Sequence, residues 1–256
     1  MTASTLSAHL GYLFTNLPLM DRFSKARGAG FDCVEHPAPF DISPSEMVDL
    51  LETNGLKMAQ ISSGMGRSGE KGLASLPDRE DEFKEGFSRA LDYAEHIGCP
   101  FVHAMAGVKG DETTYLKNID VAQKLSEGRT PELLIEAISS ATVPDYFMSD
   151  VDRLLDLATS RKFKVLIDTF HACAMQCDPA DAIRRAGSAL GHVHIADFPG
   201  RAEPGTGTTN FQGILSALDA IAFSGAIGFE YVPSGQHHLN WMTKWTAHLR
   251  AQQSTA

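Results

Sequence analysis

The chain has 256 residues, enough to bury one full-sized core and the usual length of a single β/α barrel. Hydrophobic residues make up 43 % and charged residues 21 %, the balance of an ordinary globular chain, and no run approaches the roughly 18 apolar residues that a membrane span needs. The formal net charge of −10 weighs against a nucleic-acid partner, which needs a basic face, but leaves room for a small anion held by a local arginine.

In chain order, the amino terminus MTASTLSAHLGYLF lacks the basic start and long apolar stretch of a signal peptide, so a cytoplasmic location is expected. The first strand is expected over Leu10–Phe14 and the second over Phe31–Glu35, where Glu35 would position a substrate hydroxyl or His36. A helix follows over Pro44–Asn54, with Ser43 as N-cap and Gly55 as its stop. After a third strand at Lys57–Ile61, the glycine- and serine-rich Ser62–Gly69 reads as a long loop over the barrel mouth, either a lid or a passive surface loop. An amphipathic helix is expected over Asp78–Ile97, closed by Gly98. The fourth strand, Phe101–Ala104, carries His103, which faces either the core or a site according to its phase; Lys109 beyond it reads as a surface charge.

Four more apolar runs, Leu133–Ile138, Lys164–Asp168, His192–Ala196 and Ala226–Tyr231, complete a set of eight, each followed by a helix-like segment. Cys33, Cys99, Cys173 and Cys177 show neither a secreted framework nor a paired zinc spacing and read as reduced thiols. His237 and His238 fall in the loop after the eighth strand, where they would rim a pocket. Trp241 and Trp245, four apart, read as the apolar stripe of the last helix, with a subunit contact as the alternative. The eightfold repeat of strand then helix favours an α/β chain folded as one (β/α)8 TIM barrel over residues 1–256, rather than a doubly wound sheet.

Glu136, Asp168, His194 and Glu230 each lie toward the C-terminal end of one of these runs, at intervals of 32, 26 and 36 residues. A parallel barrel gathers such strand ends around one mouth, where its active sites are built. A lone carboxylate at a strand end is an ordinary solvated group, but four polar ends at consecutive strands are costly to bury without a shared partner. Three carboxylates and one imidazole suit a single divalent cation, Mg²⁺ or Mn²⁺ with the histidine tilting toward Mn²⁺, and with Zn²⁺ or Co²⁺ as further options.

The stretches GFDCVEHPAPFD, GEKGLASLPDREDEF, ALDYAEHIGCPFVHAMAG, LIDTFHACAMQ and above all HIADFPGRAEPGTG resemble the hydroxypyruvate isomerase branch of the xylose-isomerase-like barrel superfamily, and the likeness runs along nearly the whole chain. The resemblance implies a barrel holding one divalent cation, with Glu136 and Glu230 as proton donor and acceptor and Asp168 and His194 as the other ligands. It also implies substrate contacts from His171 and Arg201. An ion pair of Arg201 with Glu203 in the same loop is the alternative for that residue. This chain departs from the branch where Ala141 and Thr142 replace a usual Arg-Asp pair, where His194 replaces a frequent glutamine, and where Thr208 replaces an acid.

The chemistry expected is removal of a proton beside a carbonyl, with the enediolate stabilised by the cation and the proton returned to the neighbouring carbon. One base on one face gives aldose–ketose isomerisation of a sugar or hydroxy-keto acid, of the hydroxypyruvate and tartronate semialdehyde type. Two bases on opposite faces would give a ketose 3-epimerase. A metal-dependent endonuclease for abasic DNA is a more distant reading, against which the negative charge counts. The expected partner is a small molecule, with neither nucleic acid nor membrane, and a homo-oligomer agrees with the resemblance.

Overall fold

Nine short parallel strands surround the axis of the computed structural model, which describes residues 4–253. They are β1 (Thr5–His9), β2 (Cys33–Glu35), β3 (Lys57–Met58), β4 (Ile61–Ser62), β5 (Phe101–His103), β6 (Glu132–Glu136), β7 (Lys164–Asp168), β8 (Leu190–Ile195) and β9 (Ala226–Phe229). Their order is β3-β2-β1-β9-β8-β7-β6-β5-β4. The two ends of that order, β3 and β4, are halves of one strand interrupted at Ala59 and Gln60. One half pairs with β2 and the other with β5, so the sheet returns to itself as an eight-stranded barrel. Residues 1–3 and 254–256, on which the amino-terminal reading and the outer limits of the expected domain partly rest, lie outside the described residues.

The expected strands match this barrel except the first. Leu10–Phe14 is a turn following β1, with the Tyr12 and Leu13 N–H groups donating to His9 O at 3.0 and 2.8 Å. Leu10, Leu13 and Phe14 are all buried, and their spacing of three and four residues belongs to a helical turn rather than to an extended chain. The true strand, TLSAH, hides its apolar signal behind small and polar residues that pack in the barrel interior.

Local signals elsewhere were direct. The Pro44–Asn54 helix starts in a capping box: Ser43 Oγ accepts from Glu46 N, and the Glu46 carboxylate accepts from Ser43 N at 3.1 Å. Gly55 ends it in the left-handed region at φ 60°. The next long helix runs over Glu80–His96 rather than Asp78–Ile97, because Asp78 sits at φ 61°, outside helical geometry. Trp241 stacks on Phe229 with ring centroids 3.7 Å apart, and Trp245 meets the same ring edge-on. Both indoles are buried in the core, which removes the subunit-contact alternative, and the last helix begins just after Trp241, at Met242. All four cysteines are free, and among the described residues no helix is long and apolar enough to cross a membrane.

Candidate active site

Parallel register brings the expected ligands to one mouth. Asp168 on β7 lies beside His194 on β8, and His194 lies beside Gly228 on β9, two residues before Glu230. Asp168 is also the N-cap of the short Thr169–Ala174 helix. Its Oδ1 accepts from Phe170 N at 2.7 Å and His171 N at 3.1 Å, which leaves Oδ2 toward Arg201 and His171. Ligand atoms of Asp168, His194 and Glu230 all lie within 4.8 Å of one another, and so do those of Glu136, Asp168 and His171. Asp168 therefore joins the two groups, and all five side chains are buried.

His194 is held from below. Its Nε2 is 2.9 Å from Glu35 Oε2, and His192 Nε2 is 2.8 Å from the same oxygen. Glu35 is fully buried; it contacts histidines rather than lining the cavity, so it orients His194 instead of reaching a substrate hydroxyl. Its other oxygen lies over Gly228, where a Cβ would collide with it. His194 Nδ1 comes within 2.6 Å of Glu230 Oε2, yet off the direction a hydrogen bond requires, and it has no hydrogen-bond partner among the described residues. A buried ring nitrogen and a carboxylate crowded toward one point, beside two further carboxylates, form a donor set that fits a hard divalent cation.

The loop after β8 is organised by Asp197. Its carboxylate accepts from Phe198 N, Gly205 N, Gly207 N and Thr209 N at 2.8–3.0 Å, which gathers the loop around one buried charge. Gly207 has no room for a Cβ against Phe198 O. Arg201, at φ 52°, is thereby turned inward, with its guanidinium 4.9 Å from the Tyr12 ring centroid and 5.2 Å from that of Phe170. Its Nη2 lies 2.9 Å from Glu230 Oε1 and 3.3 Å from Asp168 Oδ2. The alternative pairing with Glu203 does not form; Glu203 accepts instead from Ser234.

His103 faces the cavity rather than the core, with Nδ1 4.0 Å from Glu136 Oε2 and a buried Nε2 that has no partner among the described residues. His171 Nδ1 accepts from Ser139 N at 3.4 Å, which leaves Nε2 3.9 Å from Asp168 Oδ2. The cavity between these residues has a volume of about 170 Å³ and is open on one side. A larger recess of about 490 Å³ lies at the opposite mouth near Lys57, Glu132 and Lys164, and none of the expected site residues reaches it. Within the candidate cavity, His9, Gln60 and Lys71 are lining residues that sequence reasoning missed. His238, expected at the rim, is turned to the Tyr231 hydroxyl at 2.8 Å, and Lys109 stands exposed 4.0 Å from Asp145.

The carboxyl groups do not share one charge state. Burial, reinforced by the nearby Asp168 charge, pushes Glu136 well above the ordinary carboxylate range. Burial also acts to raise Glu230, but Arg201, His194 and His9 together outweigh it and hold Glu230 well below that range. For His194, burial disfavours the charged ring, and the flanking Glu230 and Glu35 overcome that effect and raise it well above the usual imidazole value. Burial carries His103 down to about 3, so this ring is neutral at physiological pH.

A family model described as a xylose isomerase-like TIM barrel matches residues 23–252. A 2-oxo-tetronate isomerase of Pectobacterium atrosepticum is 32% identical over 253 residues, which cover 93% of this chain and 97% of that protein. A hydroxypyruvate isomerase of Escherichia coli is 29% identical over 250 residues, 92% of this chain and 97% of that one. A solved structure described as an AP endonuclease, family 2, from Brucella melitensis superposes with a TM-score of 0.88 at 29% identity, covering 94% of this chain and 99% of that one.

Proposed function

The chain belongs to the xylose isomerase-like TIM barrel family, and within it we propose an isomerase of short hydroxy-keto acids, of the hydroxypyruvate or 2-oxo-tetronate type, that works with one divalent cation, Mn²⁺ or Mg²⁺. The observation that carries this reading is the convergence of Asp168, His194 and Glu230 within 4.8 Å in a buried cavity, with Glu136 and His171 brought to the same Asp168. When bound, the cation supplies Lewis-acid polarisation of the substrate's carbonyl and the adjacent hydroxyl. The chain's own groups do the rest. Glu230, ionised beside Arg201, is the base that lifts the proton from the carbon next to the carbonyl. Glu136, the second carboxyl group lining the cavity, is the group that returns a proton to the neighbouring carbon. His171 and His103 offer ring nitrogens to substrate oxygens, and a cavity of about 170 Å³ suits a molecule of only a few carbons.

Two other readings draw on specific observations. Glu136 and Glu230 both line the cavity, as a ketose 3-epimerase would require. The likeness to the Brucella protein favours an endonuclease, which the net charge of −10 and the small cavity oppose.

Elemental analysis of the purified protein, followed by solvent deuterium exchange into hydroxypyruvate, 2-oxo-tetronate and neutral ketoses, separates these outcomes. Metal near one per chain, with deuterium entering a keto acid, supports the proposal. Inversion at C3 of a ketose moves it to epimerisation, and retardation of an abasic duplex at low salt moves it to nucleic acid. Protein without metal and without exchange removes the enzymatic reading.

A further inference from the structure

We propose that Lys71 is the anchor for the substrate's carboxylate, an inference that rests on the hydroxy-keto acid reading of the same cavity. An acid substrate brings a negative charge into a mouth already crowded with carboxylates, so a cation must meet it. Besides the histidines, Arg201 and Lys71 are the basic residues that line the cavity among the described residues. Arg201 is committed to Glu230 and Asp168. Among the described residues Lys71 has no hydrogen-bond or ion-pair partner for its side chain, and it stands exposed at the cavity's edge.

The backbone that displays Lys71 is built to hold it. Lys71 sits at φ 55°, a left-handed conformation that a residue with a side chain adopts only under constraint from its surroundings. The constraint is visible on both sides. Glu70 O accepts from Val108 N at 3.0 Å, and the Glu70 carboxylate pairs with Arg79 at 2.7 Å. Gly72 N donates to Met65 O at 2.9 Å, and Gly72 lies so close to the Met105 carbonyl that a Cβ would collide with it. The turn is thus clamped to the segment after β5 while its central side chain is left free. Lysine is suited to the task, since its ammonium is a compact charge on a long stem that can reach a carboxylate without a fixed approach angle.

The test compares acid and neutral substrates in the metal-loaded enzyme. Lys71→Met should raise KM for hydroxypyruvate and 2-oxo-tetronate about tenfold or more, move KM for the neutral four-carbon ketose erythrulose less than twofold, and be largely rescued by Lys71→Arg. An unchanged ratio of acid to ketose KM overturns the proposal while leaving the isomerase reading in place. If the wild type turns over none of the three, that reading has failed instead, and thermal stabilisation by D-glycerate measured against glycerol decides for Lys71. A glycerate-specific shift that Lys71→Met abolishes and Lys71→Arg retains supports the anchor. An equal shift in wild type and Lys71→Met, or none in the wild type, overturns it.

Discussion

Glu35 and His194 stand on strands β2 and β8, far apart in sequence, and meet inside the barrel with Glu35 Oε2 accepting from His194 Nε2 at 2.9 Å. The contact fixes which nitrogen of His194 faces downward and turns Nδ1 toward Glu230 and Asp168. Because His192 uses the same Glu35 oxygen at 2.8 Å, and Gln60 donates to it at 3.1 Å, one buried carboxylate sets a whole layer beneath the cavity. A carboxylate behind a ligating histidine orients the ring and raises its basicity.

Glu35→Gln keeps the size of this side chain and removes its charge. Metal affinity should fall by about 10- to 100-fold, the usual cost of disturbing an outer partner of a ligand. Turnover should recover in part when metal is supplied in excess, since the residue itself does not line the cavity. Isothermal titration with Mn²⁺ checks the first point, and unaltered affinity would mean that Glu35 has no share in ordering the ligands.

Gly228 gives the same layer an independent test. The Glu35 carboxylate and the rings of His192 and His194 all lie where a Cβ at this position would go. Overfilling a packed interior costs about 1–3 kcal/mol, and here the displaced group is also the ligand support. Gly228→Ala should therefore lower the melting temperature of the metal-free protein and weaken metal binding together. Loss of stability with metal affinity intact would separate the packing role from the orienting one.

Much of this site was legible in the sequence because Glu136, Asp168, His194 and Glu230 interrupt strongly apolar runs, where a polar end is costly to bury unless it meets a partner. His9 escaped because the run that reads as the first strand, Leu10–Phe14, is a buried turn, which hides the polar end of the real strand. Glu35 was read at the right mouth but one layer too high, since periodicity gives the face of a strand and not the depth of its last side chain. Arg201 was identified, but its partners were not. They depend on Asp197 gathering four backbone N–H groups across the loop, a long-range arrangement with no local signature. Lys71 lies in a turn whose left-handed conformation comes from contacts with the segment after β5, so only the folded structure singles it out.

Glu136→Gln and Glu230→Gln address the proton transfer itself. Each replaces a carboxyl group by an amide of equal size, and a general acid or base typically contributes about 10²- to 10⁴-fold to rate. Turnover of the keto acid should fall by at least that range in both variants, with circular dichroism unchanged. Deuterium exchange distinguishes the two: Glu230→Gln should stop exchange of the substrate proton, whereas Glu136→Gln should slow product formation while some exchange persists. Retained turnover in either variant would remove that residue from its role.

The opposite charge states of the cavity carboxyls predict how metal binding responds to pH. In the metal-free protein Glu136 is held protonated by burial, and His194 keeps its proton between Glu230 and Glu35. Both must lose that proton to act as ligands, so loading should release protons, and apparent affinity should rise with pH. The stability effect has the same sign. A carboxyl whose folded pKa is raised stabilises the fold below the ordinary carboxylate range, and that contribution disappears as pH climbs through the raised value. The metal-free protein should lose this contribution across the pH window that opens above the ordinary carboxylate range, and the bound cation should restore it by compensating the buried charge. The difference in melting temperature between metal-loaded and metal-free protein should accordingly widen across that window. Titrations with Mn²⁺ in buffers of different ionisation enthalpy count the protons released. A difference that stays flat with pH, with no proton release, would place the cation away from Glu136 and His194.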